Sequence, residues 1–170
     1  MYLLAQEKGE IAMRIVYSYY VLDIVHEGHL LMMQNAKAIA GENGVSVVGI
    51  LTDGAVMEKK RRPVMPFEQR VALAKAIKYA DVVVAQETYS PLPNIEELRP
   101  DILMESTSHS DTAIKAGRAL MQSMGGAVVV LPYFPAQSST NIKQKIRGDQ
   151  NNGDNCCCSS IPHPRSGSTD

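Results

Sequence analysis

Nothing in the sequence is apolar for long enough to cross a bilayer, which takes about 20 consecutive apolar residues. That absence argues against a helical membrane protein. Neither sign of charge prevails: 17 Lys and Arg stand against 18 Asp and Glu. Without a basic excess there is no footing for nucleic acid, and no acidic tract supplies a charged tail. The first residues lack the basic start and apolar core of a signal peptide, so the cytoplasm is the expected location. Cysteine is scarce and clustered, with all three residues adjacent at 156–158 in a polar stretch. An odd, contiguous set neither frames disulfides nor has the spacing of a zinc site, so these read as tail thiols. Internal repeats are absent as well.

What is present is the pattern of a layered α/β domain. At 170 residues and 45% hydrophobic content, the chain suits one well-cored domain, and two would be cramped. Nearly continuous apolar runs mark buried strands over 14–22, 45–51, 81–85, 99–104 and 127–131. Helices are expected over 30–40, 66–79, 94–98, 111–124 and 141–147, the last opened by the capping residues Ser138, Ser139 and Thr140. Thr52, Asp53 and Gly54 read as the end of the second strand, and 105–110 as a polar loop after the fourth. Apolar strands alternating with helices predict a Rossmann-like five-stranded parallel sheet with helices on both faces. The expected organisation is an extension over 1–13, one domain over 14–147, and a disordered tail over 148–170 rich in Asp, Asn, Ser, Pro and Cys.

One segment of this pattern carries chemistry. His26, Glu27, Gly28 and His29 follow the first strand and open the first helix. A helix N-terminus offers unpaired N–H groups and a positive dipole, and Gly28 lets an oxyanion approach the backbone. His26 and His29, three apart, share one face of a first helical turn and can both hydrogen-bond one phosphoryl group. That arrangement suits nucleotidyl transfer. In parallel sheets ligands bind beyond the carboxyl ends of the strands. Asp23, Thr52, Asp53, residues 105–111 and residues 133–140 all fall there. No third ligand has the spacing for a zinc site with the histidines, so no metal site is expected.

The segments around the histidines also form an ordered set. Asp23 precedes His26 by three, Thr52 and Asp53 end the second strand, and a Lys-Lys-Arg-Arg run over 59–62 leads to a helix bearing Glu68 and Arg70. Tyr79 and Asp81 precede the third strand, and Ser138, Ser139 and Thr140 cap the last helix. Together they resemble the cytidylyltransferase-like HxGH nucleotidyltransferases over roughly residues 14–147. The stretches 62–70, 86–88, 93–94 and 98–101 are similar to the cytidylyltransferase domain associated with phosphoenolpyruvate mutase in phosphonate biosynthesis.

The resemblance implies transfer of CMP from CTP to a small phosphonate or phosphate acceptor, with release of pyrophosphate. The alternatives are an adenylyltransferase using ATP and a degenerate, non-catalytic nucleotide-binding module. It implies catalytic roles for His26, His29 and Lys60, with Lys60 standing for a basic run that folds over the phosphates. Tyr19, Tyr20, Gly28, Arg70, Ser138, Ser139 and Thr140 are expected at the nucleotide, Ser139 and Thr140 donating to the leaving phosphates. Asp23, Thr52 and Asp53 are expected at the acceptor. Mg²⁺ is expected to travel with the nucleotide, and the implied partners are CTP, the phospho substrate and a second copy in a homodimer, with no nucleic acid and no membrane.

Some roles stay open. Asp23 orients a histidine, contacts the acceptor or caps its loop; Arg70 pairs with Glu68 or Asp81, or serves the nucleotide. His109 is expected to be solvated, with contact to an acceptor as the alternative. Three segments depart from the family's usual pattern. Tyr19 and Tyr20 put bulk where the nucleotide would approach. Glu-Ser-Thr-Ser-His-Ser over 105–110 replaces Gly-Asp-Asp at the expected acceptor side, and Pro135, Ala136 and Gln137 replace Glu-Gly-Ile.

Overall fold

Alternating apolar strands and helices assemble into a single parallel sheet. The computed structural model describes residues 13–132 and 138–148. The elements run β1 (Ile15–Tyr20), α1 (Glu27–Ala40), β2 (Val45–Leu51), α2 (Asp53–Met57), α3 (Phe67–Ala76) and β3 (Val82–Gln86). They continue as α4 (Leu92–Leu98), β4 (Ile102–Ser106), α5 (Asp111–Ser123), β5 (Ala127–Leu131) and α6 (Ser139–Arg147). The five strands are ordered β3-β2-β1-β4-β5, and every pair is parallel. The chain winds outward through β2 and β3 on one side of β1 and through β4 and β5 on the other. The crevice that binds ligands in such sheets opens where the winding reverses, between β1 and β4.

The two faces are set by the period-2 alternation of the strands. Val16 and Tyr20 of β1 face α1 and α3, packing with Met33, Ala36 and Ala74. Tyr17 faces the other way, into a cluster with Ile95 of α4, Leu103 of β4 and Met121 of α5. Gly49 of β2 makes room for it, since a Cβ there would lie 2.2 Å from the Tyr17 hydroxyl. That hydroxyl reaches past β2 to donate to Gln86 Oε1 of β3 at 2.7 Å. Helices on both faces and a buried central strand match the expected architecture.

Several element boundaries differ from expectation, and four of the differences have a clear local cause. Helix α1 begins at Glu27 rather than residue 30, because the His26 carbonyl already accepts from His29 N–H at 3.0 Å. Helix α2 was not expected; Thr52 nucleates it by accepting the Ala55 N–H on its Oγ1 at 3.2 Å. Arg99, expected to start a strand, instead ends α4 in the left-handed region at φ 45°. Strand β4 therefore starts later and runs through Glu105 and Ser106, which were expected in a loop. The extension before residue 13, residues 133–137 (with Pro135, Ala136 and Gln137) and the stretch after residue 148 lie outside the described residues. Among the described residues no helix is long and apolar enough to cross a membrane.

Candidate functional site

The two histidines meet at the carboxyl end of β1. His26 is the N-cap of α1 in an extended conformation (φ −144°, ψ 169°), and His29 occupies the third position of the first turn. Their ring centroids lie 3.9 Å apart. The His26 backbone N–H donates to His29 Nδ1 at 3.4 Å. That bond assigns the proton of a neutral His29 to Nε2, which becomes a donor. Tyr20 presses edge-on against the His29 ring at 5.8 Å and is itself nearly buried, so it supports the imidazole from the wall of the cleft that both side chains line.

Both imidazoles are held neutral. Burial, then the neighbouring His26, pushes His29 down to about 4. Burial alone lowers His26. Its Nδ1 is buried and has no hydrogen-bond partner among the described residues, which marks a polar atom left for a ligand or water to satisfy. Gly28 is buried between them in the first turn.

These groups line a cleft of about 1730 Å³. Its charge is lopsided. Lys59, Lys60, Arg61, Arg62, Lys143 and Arg147 line it, while Asp23 is the sole carboxylate among the described lining residues. The chain as a whole has a net charge of −1, so the basic character is local. Such a wall focuses a field that favours polyanions. Lys59 and Lys60 are exposed and sit over the Tyr89 ring, at 5.1 and 5.6 Å from its centroid. Ser138, Ser139 and Thr140 line the same cleft from the start of α6. Ser138 Oγ accepts the Asn141 N–H at 3.0 Å and Ser139 Oγ donates to the Ile24 carbonyl at 3.1 Å, so these two hydroxyls hold α6 in place. Thr140 is exposed.

Three expected contacts fall elsewhere. Arg70 is completely buried, and it pairs with neither Glu68 nor Asp81. Its guanidinium donates to the carbonyls of Val21 and Leu51 at 2.7 Å each, to Met65 O at 3.1 Å and to Asp53 Oδ1 at 2.6 Å. It ties the ends of β1 and β2 together beneath the site and is not among the residues lining the cleft. Thr52 caps α2 and Asp53 pairs with Arg70, so neither lines the cleft. Asp23 does line it, but its two oxygens are taken by Lys143 Nζ and by the Met65 N–H at 2.9 Å. Burial pushes its carboxyl up, yet the Lys143 and Met65 bonds outweigh that and hold it below the usual range. Of the three readings for Asp23, the structure supports the one in which it fastens the loop, here to α6.

The residues that sequence reasoning missed lie across β1. Glu105, expected in a polar loop, is fully buried. Its carboxylate accepts from the Tyr19 hydroxyl, 3.1 Å from each oxygen, and pairs with His109 Nδ1. His109, expected to be solvated, has a side chain 32% exposed and stacks on Tyr19 with centroids 5.2 Å apart. The i,i+4 spacing of Glu105 and His109 was the available signal; the third member, Tyr19, is 86 residues away from Glu105.

Comparison with known proteins gives the family and the fold. The profile of the family described as cytidylyltransferase-like matches residues 21–145. Among curated relatives, the bifunctional protein HldE of Alcanivorax borkumensis is 32% identical over 145 residues, and that of Geobacter sulfurreducens 30% over 146. The matches cover 84% and 85% of this chain but only 29% of each relative. The chain thus spans under a third of those proteins. Among solved structures, a lipopolysaccharide core biosynthesis protein from Thermoplasma volcanium superposes with a TM-score of 0.61 at 21% identity, over 74% of this chain and 99% of its own. A protein of unknown function from Archaeoglobus fulgidus gives 0.57 at 16%, over 74% and 94%. At those identities the structures speak for the fold.

Proposed function

The chain is a nucleotidyltransferase of the cytidylyltransferase-like family, and on that premise we propose that it transfers CMP from CTP to a small phosphonate or phosphate acceptor, releasing pyrophosphate. The observation that supports this reading best is the neutral histidine pair at the N-terminus of α1, with the His29 tautomer fixed by the His26 N–H, inside a cleft lined by six cations. An acceptor oxygen forms a bond to the α-phosphorus as the bond to the bridging oxygen breaks and its electron pair leaves with pyrophosphate. Such a transfer needs alignment and charge neutralisation more than covalent chemistry. His29 Nε2–H, His26 and the first-turn N–H groups of α1 would stabilise the equatorial oxygens of the transition state. Lys60 and its basic neighbours would take the β and γ phosphates, with Thr140 donating from the start of α6.

Mg²⁺ would enter with the triphosphate, taking its oxygens chiefly from phosphate and water. Among the described residues no three His, Cys, Asp or Glu side chains converge to hold a metal. The test is pyrophosphate release with CTP or ATP, each in the presence of small phosphonates and phosphate monoesters. Turnover with CTP supports the reading; turnover with ATP alone replaces it with adenylyl transfer. Binding of CTP without pyrophosphate from any acceptor would leave a nucleotide-binding module instead.

A further inference from the structure

Lys143 differs from the other cations of the cleft. Lys59, Lys60, Arg61, Arg62 and Arg147 are exposed, whereas the Lys143 side chain is only 29% exposed. Its ammonium pairs with Asp23 Oδ2, and the Asp23 side chain is 4% exposed. Ser139 and Lys143 are four apart and share one face of α6. They grip consecutive residues of the loop after β1, Ser139 Oγ on the Ile24 carbonyl at 3.1 Å and Lys143 Nζ on Asp23. Two ties one helical turn apart leave Lys143 little freedom to swing towards a ligand. The other Asp23 oxygen accepts the Met65 N–H at 2.9 Å, so the carboxylate is fixed as well.

A fixed carboxylate is a liability in a cleft that takes polyanions. Asp23 is the sole carboxylate among the described lining residues. Left unpaired and withdrawn from bulk water, it would repel a triphosphate more strongly than the same charge on the open surface. Burial pushes the Asp23 carboxyl up, but the Lys143 and Met65 bonds outweigh it and keep the group ionised. A real charge therefore stands there to be cancelled, and Lys143 is the cation placed against it. Resting on the nucleotidyl-transfer reading above, we infer that Lys143 is a positioning residue that acts through Asp23. It neutralises the carboxylate that fastens the loop, so the cleft stays attractive to the triphosphate, and it does not itself donate to phosphate. The triphosphate is met instead by the five exposed cations. Lys143 thus stands on the cleft wall, on the same face of α6 as Arg147, with a different task.

The test is calorimetric titration of the full chain at low ionic strength with α,β-methylene-CTP and α,β-methylene-ATP, which resist cleavage. Lys143→Met bares the Asp23 charge and should weaken binding of whichever analogue the wild type takes by about tenfold, or about 1.4 kcal/mol. The double variant Asp23→Asn/Lys143→Met has neither charge and keeps an acceptor for the Met65 N–H. It should bind within about twofold of the wild type, because the two substitutions act on one interaction. Asp23→Asn alone frees the ammonium and should bind about threefold more tightly. A phosphate ligand, or a tie needed only to hold α6, is lost in the double variant as much as in the single one. Binding that stays about tenfold weak in the double variant therefore overturns the inference and leaves the transfer reading standing. Should Lys143→Met fail to fold, as judged by circular dichroism, Asp23→Asn carries the test, and binding no tighter than that of the wild type overturns it. If the wild type binds neither analogue, the transfer reading itself falls and takes this inference with it.

Discussion

The two ends of the parallel sheet differ in the balance of their charged groups. At the amino end, where strands begin, charges are spent on the backbone. Asp101 accepts the Ile15 N–H at 2.7 Å, and Asp81 accepts the Ser46 N–H at 2.8 Å while pairing with Lys37 at 2.7 Å. At the carboxyl end, His26 Nδ1 is buried without a partner among the described residues, and six cations face one carboxylate across a cleft. Unspent hydrogen-bonding capacity is what a ligand completes, whereas satisfied groups fix the frame that presents it. Arg70 belongs to the second kind although it sits at the first kind's end. It is the underlay that holds β1, β2 and the 63–65 loop in register below the histidines.

The sharpest way to break this contrast is to remove Arg70. Arg70→Met leaves the carbonyls of Val21, Leu51 and Met65 and the carboxylate of Asp53 without their donor. Breaking one side of a buried charged pair costs about 3–5 kcal/mol, and chemical denaturation should show a loss of that order together with loss of activity. A variant that melts like the wild type yet no longer binds nucleotide would return Arg70 to the nucleotide side.

His29→Asn probes the opposite case. Losing one preorganised donor to the transition state should lower kcat by about 10²–10³, roughly 3–4 kcal/mol of barrier, with stability at neutral pH little changed. Unaltered turnover would remove the histidine pair from the chemistry. The same side chain also sets an acid limit. An unfolded histidine titrates at 6.5 and the folded His29 at about 4, so between those values the unfolded state binds more protons. Its contribution is therefore present above pH 6.5 and lost as pH falls towards 4, by about 3 kcal/mol at most. Part of that is screened because the ring is not fully buried. His29→Asn should flatten this segment of the stability profile. An identical slope in wild type and variant would mean the ring stays as accessible in the folded state as in the unfolded one.

Much of this frame was legible from pattern alone, because burial of a strand on both faces writes itself as a run of apolar residues. Strands β2 and β5 fall where the runs at 45–51 and 127–131 predict. The histidine pair stood out because its chemistry is local, with a cap, a glycine and three-residue spacing in one turn. What escaped has non-local causes. Arg70 reads as a partner of Glu68, Asp81 or the nucleotide until Asp53, 17 positions earlier, is placed beside it. Glu105 reads as a loop carboxylate because the groups that satisfy it come from a neighbouring strand and the next helical turn. Helix α2 is only five residues long, too short for periodicity to register, and only its Thr52 cap announces it.

The smallest expected effect lies at the amino end, where Asp81→Asn should separate frame from function. Burial pushes the Asp81 carboxyl up, but hydrogen bonds from Lys37 and the Ser46 N–H outweigh it and hold the group below its ordinary value. A depressed carboxyl contributes stability above its unfolded value near 3.8, and that contribution is lost as pH falls through the lower folded value. The pair is about one-third exposed on each side, which limits it to roughly 1 kcal/mol at neutral pH. Asparagine keeps an acceptor for Ser46 and removes only the charge. The variant should therefore unfold slightly earlier at pH 7, match the wild type once the carboxyl is protonated, and retain full kcat/KM. If kcat/KM fell with the modest loss of stability, the amino edge would be coupled to the cleft through β2. The division between a satisfied frame and an unsatisfied site would then fail at its most favourable point.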